Sequence, residues 1–139
     1  MTVTPGRTGK MSIETTFDAD PGLVNFRVTG RLELGPLFRH ADTVITEPGF
    51  RTGMHAIWDL RDASYEHLFA DDFAAAARNR STNRDIRGEA RVAIVVSDAL
   101  GHGLSRVFLA VASMDYLAYR VFNDIEQAKA WVLGGQDKP

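Results

Sequence analysis

The stretch His55-Ala-Ile-Trp-Asp-Leu-Arg-Asp62 constrains the fold of this chain more than any other. It holds an apolar run short enough for a buried strand, with Asp59 where the run stops. A second run, Arg91-Val-Ala-Ile-Val-Val-Ser97, is apolar throughout its interior. Strands apolar on both faces belong to sheets covered by helices, and such sheets place their sites in loops at the strands' carboxyl ends.

The segments around these runs supply the helices and a hairpin. From Met11 the residues alternate, with Ile13, Thr15 and Phe17 on one face, and Asp18-Ala-Asp-Pro-Gly22 turns the chain into Leu23, Val24, Phe26 and Val28. Leu34, Leu37, Phe38, Ala41, Val44 and Ile45 have helical spacing, ended by Pro48-Gly49. The strand at Met54 to Leu60 follows, then a loop from Arg61 to Ala70. Asp71-Asp72 opens a second helix whose far end carries Arg78, Arg80, Arg84 and Arg87. Asp98-Ala-Leu-Gly-His-Gly103 is expected to be a turn into a deeply buried third helix with Leu104, Val107, Phe108, Val111, Ala112 and Met114. Tyr119 to Phe122 is a last short strand. Asn123 with Glu126 matches a capping box for a helix that buries Ile125, Ala128, Trp131 and Val132 before Gly134-Gly135. The order ββαβαβαβα predicts a single α/β domain with a mixed, mostly parallel five-stranded sheet and about four helices. Residues 1–10 are expected to be a flexible tail, 11–133 the domain and 134–139 a second tail.

Composition narrows the chemistry. At 139 residues the chain can bury a core without disulfides or metals, and it has no cysteine, which removes thiolate zinc sites and cysteine nucleophiles. The formal charge of −2 gives no general attraction to nucleic acid. No spanning helix, metal or cofactor is expected, since His40, His55, His67 and His102 show no ligand spacing. The expected location is cytoplasmic.

Ile57-Trp-Asp-Leu-Arg61, Val92-Ala-Ile-Val-Val96, Gly103-Leu-Ser-Arg-Val-Phe108 and Val121-Phe-Asn-Asp-Ile-Glu-Gln-Ala-Lys-Ala-Trp131 resemble, in order and spacing, the SpoIIAA-like family, relatives of the STAS domains. The resemblance covers about Met11 to Leu133. It implies a compact α/β domain with a mixed sheet, used for regulation and binding rather than catalysis. In the anti-sigma-factor antagonists of that superfamily, a Ser at the start of the helix after the central strand is phosphorylated, within an Asp-Ser and Ser-Gly motif. This chain departs from it: Ser64 is the only serine after Asp59 in that region, and no Gly follows it. A likeness to CRAL-TRIO domains implies lipid binding as an alternative.

Parallel strands bring the loops after Leu60 and Ser97 to one rim, so Asp59, Ser64, Tyr65, His102, Ser105 and Arg106 are the expected ligand-binding residues. Glycines and helix amides at Gly101-His-Gly103, with Ser105 and Arg106, suit an anion; the plainer reading is a turn that needs positive φ. Asp59 equally suits a structural role, bonding loop amides. The row Arg80, Arg84, Arg87 reads as a solvated face. Three functions follow: a non-enzymatic regulatory or protein-interaction module of STAS type; a carrier or sensor of a small apolar or amphipathic ligand, in a cavity left by Ala74 to Ala77 against the third helix; and an enzyme using His102, Asp59 and Ser64 or Ser105. The partner is a protein or a small apolar or anionic ligand, and a homodimer is an assembly the sequence leaves open.

Overall fold

Alternating side chains and a Gly-containing turn make the first two strands a hairpin. In the computed structural model, which describes residues 9–78, 84–112 and 116–134, β1 (Ser12–Asp18) pairs antiparallel with β2 (Leu23–Arg31). Gly22 lies at φ 94°, a conformation that glycine adopts without a Cβ penalty. Three parallel strands follow: β3 (His55–Ser64), β4 (Ala90–Val95) and β5 (Leu117–Phe122). The sheet order is β1-β2-β3-β4-β5.

The helices are α1 (Leu34–Val44), α2 (Ala70–Arg78), α3 (Arg84–Arg87), α4 (Ala99–Ala112) and α5 (Ile125–Val132). The clusters on the two sides of β3 separate them. Ile57 packs with Val95, Phe122, Ala128 and Val132 under α5. Trp58 packs on the opposite side, with the clusters that hold Leu37 of α1, Phe73 of α2 and Phe108 of α4. One face is thus covered by α5 and the other by helices from the crossovers. Among the described residues no helix is long and apolar enough to cross a membrane.

Several local expectations are corrected. β3 runs past Leu60 to Ser64, through a bulge between the Arg27 and Thr29 pairings, because Asp62 finds Arg27 of β2 at 2.6 Å. Asp59 therefore lies within the strand. A fifth helix, α3, holds Arg84 and Arg87, and Arg80 lies outside the described residues. Arg87 is buried, bonded to the Met54 carbonyl, so it is no part of a solvated face. Gly101-His102-Gly103 stands in the first turns of α4, and neither glycine has positive φ. α4 is two-sided, not deeply buried: Leu104, Ser105 and Phe108 are buried while Gly103, Arg106 and Ala110 are exposed. Met114 lies outside the described residues. Ala74 to Ala77 belong to α2, which packs on α4, and they are not among the residues that line the cavity beside Phe73, Ser105 and Phe108.

The cap of α5 also moves by one residue. Asp124 accepts from the amides of Glu126 at 2.7 Å and Gln127 at 3.4 Å, while Asn123 bonds His102 and the Val96 carbonyl. A carboxylate there also meets the positive end of the helix dipole. Asp124→Ala is expected to cost about 1 kcal/mol in urea unfolding. An unchanged midpoint for that variant contradicts the cap.

Candidate functional site

The residues predicted from sequence to share a rim are engaged with the framework, and the structure brings only part of them together. Tyr65 is 3% exposed and donates its hydroxyl to Asp98 at 2.7 Å. The same Asp98 oxygen accepts from the Gly101 amide at 2.8 Å, capping the start of α4. Ser64 donates to Glu66 at 2.9 Å, and His102 bonds Asn123 at 2.9 Å. Arg106 is exposed on the outer side of α4. Asp59 accepts from the Arg61 guanidinium at 2.8 and 2.7 Å and from the Arg61 amide at 3.1 Å. Burial pushes the Asp59 carboxyl up, but the bonds and charge of Arg61, helped by Arg27, outweigh it and hold the group below its ordinary value. Arg61 is also drawn toward Asp62 and Asp124, which places this charged network on the α5 side of the sheet. Tyr65, Asp98 and the start of α4 are thus brought together; Asp59 stands apart, and so does Ser105.

Ser105 points to a cavity whose walls differ from the ones expected at Ala74 to Ala77. Its side chain lines a cavity of about 90 Å³ on the opposite side of the sheet from α5. The strands contribute Phe26, Ala56, Trp58, Ile94 and Tyr119, α1 contributes Leu34, Leu37, Phe38 and Ala41, and α4 contributes Ser105 and Phe108. Phe50, Phe73 and Arg87 complete the wall with Asp42, an exposed carboxylate of α1.

The walls are held by aromatic packing. Phe26 stacks on Trp58 with centroids 3.7 Å apart and planes 10° from parallel. Phe38 of α1 stacks on Phe108 of α4 at 5.4 Å, and Phe108 meets Tyr119 edge-on at 5.8 Å. Such rings keep their shape because each has only two side-chain torsions and presses on another. Toward β1, α1 is held by His40, 2.7 Å from the Thr15 hydroxyl, while its N-cap residue Glu33 makes no side-chain cap bond. At roughly 10–15 Å³ per water-sized probe, the space takes several waters, yet its lining offers them few partners. An apolar space of this kind favours an apolar occupant.

A period-two reading places Phe26 and Trp58 on the same sheet face as Val24 and Ala56, but it cannot show that the facing side chains leave a gap. Among the described residues no group of three or more His, Asp or Glu is arranged to hold a metal ion.

Comparison with known proteins supports the fold. An uncharacterized protein of the DUF3478 family with a SpoIIAA-like fold, from Shewanella loihica PV-4, superposes with a TM-score of 0.53 at 17% identity, covering 95% of this chain and 98% of that one. The chain has a SpoIIAA-like α/β fold. No protein-family model and no curated protein matches it.

Proposed function

We propose that this protein is a non-enzymatic binding module whose occupant is a small, largely apolar molecule held between α1 and the sheet. The observation behind this reading is the cavity of about 90 Å³, walled by aromatic and aliphatic side chains with a few polar groups at its edges. That composition is typical of small-molecule sites: apolar surface supplies affinity and a few polar groups fix orientation. The non-enzymatic reading draws on the separation of the candidate catalytic groups. His102 faces Asn123, Ser64 faces Glu66 and Asp59 is clasped by Arg61, so the bonds of these groups do not pair Ser64 with His102 or Asp59.

A second reading, a regulatory module that engages a protein partner, is favoured by Phe69, 72% exposed just before α2, and Leu100, 43% exposed in the first turn of α4. Exposed large apolar side chains at helix starts can seat a partner. The cavity reading makes the sharper demand, since it names where the molecule goes.

Two tryptophans allow a direct test. Trp58 lines the cavity, whereas Trp131 packs on the α5 side against Phe122. In a Trp131→Phe variant, 1-octanol is expected to change Trp58 emission along a saturating curve. Adding Ala41→Phe, which plugs the space from α1, should abolish that response. A linear, non-saturating change, or an unaltered curve in the plugged variant, contradicts the proposal.

A further inference from the structure

We infer that the occupant carries one uncharged hydroxyl or carbonyl oxygen, which the Ser105 side chain bonds inside the cavity, with its apolar remainder among the aromatic walls; this rests on the cavity being a ligand site. Ser105 lies midway along α4, is 4% exposed and lines the cavity together with Phe73 and Phe108. Among the described residues its hydroxyl has no hydrogen-bond partner. A serine inside a helix can bond the carbonyl one turn earlier. Thr43 of α1 does this, donating to the Arg39 carbonyl at 2.9 Å, and Ser105 does not.

The Ser105 oxygen is not sealed into the wall. Among the described residues the fully enclosed side-chain polar atom without a partner is His67 Nδ1, so the Ser105 oxygen keeps open surface, and the space beside it is the cavity. A hydroxyl that has left water and found no partner is costly, and a ligand oxygen that bonds it removes that cost. A water molecule needs roughly two to four bonds to be held, which a mostly apolar lining supplies sparsely. Asp42, Arg87 and Tyr119, also in the lining, are each engaged with the protein. The Trp58 indole has no hydrogen-bond partner among the described residues either, but Trp58 is half-buried, so the buried unpaired group of the wall is Ser105. Its hydroxyl supplies a single neutral bond, enough for an uncharged oxygen and too little for a buried ion, which needs an opposite charge as well.

Toluene and phenol share one shape and differ in one group, a methyl against a hydroxyl. Each is titrated in sealed samples into labelled wild-type protein and into Ser105→Ala, and dissociation constants are read from saturable amide shifts at the cavity wall. The substitution is expected to weaken phenol about threefold to tenfold, the value of one neutral hydrogen bond, and to leave toluene within about twofold. Equal changes for the two ligands, or none for either, overturn the Ser105 bond but leave the ligand site standing. Saturable binding of neither ligand to the wild type overturns both. The unliganded variant should melt at or above the wild-type temperature, since alanine removes an unpaired hydroxyl and favours the helix. A lower melting temperature, or failure to fold, would show that the protein itself uses the hydroxyl and overturns the inference.

Discussion

Ile57→Ala is expected to lower stability by about 2–4 kcal/mol, the usual result of opening a cavity in a packed core. Ile57 is 1% exposed in the central strand, and it meets the side of the sheet where Ala128 and Val132 of α5 leave no slack, both at 0%. The cavity beside Trp58 lies on the other face, so the truncated site cannot borrow its free volume. Urea unfolding measures the loss. A change below about 0.5 kcal/mol would mean that the α5 face is not the tightly packed half of the core. Trp58, its neighbour in sequence, is only half-buried because its ring stands on the cavity side.

The two glycines of α4 should respond with opposite signs to the same substitution. A Cβ on Gly101 would lie 2.8 Å from Tyr65 Cζ and 2.9 Å from Val96 Cβ, and closer still to the Tyr65 hydroxyl. Overpacking of this kind costs about 1–3 kcal/mol. The intrinsic helix gain from Gly to Ala is only about 1 kcal/mol, so Gly101→Ala is expected to be a net loss. It also pushes the Tyr65 hydroxyl away from Asp98. Nothing lies within 4 Å of a Cβ on Gly103, which is exposed in the same helix, so Gly103→Ala should gain about 0.5–1 kcal/mol. Thermal melts of the two variants decide it. A gain in both would show that Tyr65 does not press on the helix.

The contrast also shows what was legible in the sequence. The apolar runs at Ile57 and Val92, the hairpin and the strand–helix alternation define the sheet and the fold, because burial on both faces leaves a continuous apolar pattern. Gly101 and Gly103 read alike in sequence, as turn residues, yet both are helical and one of them is a contact point for a tyrosine 36 residues away. The extension of β3 was equally hidden, since Arg61 and Asp62 look like loop residues until Arg27 and Asp59 are placed beside them. The same holds for the α5 cap, where Asn123 and Asp124 are both good capping residues and only the tertiary bond to His102 assigns Asn123 elsewhere. The cavity needed most of all the three-dimensional arrangement. Its wall draws on residues from Val24 to Tyr119, and no local pattern records a volume that several elements fail to fill.

The most direct test of the cavity reading is to map its occupant by two-dimensional amide spectra of the labelled protein titrated with 1-octanol. Saturable shifts are expected on the cavity wall, at Leu37, Phe38, Trp58, Phe108 and Tyr119. Shifts confined to the rim at Ser64, His102 and Arg106, or no saturable shift at all, would contradict it.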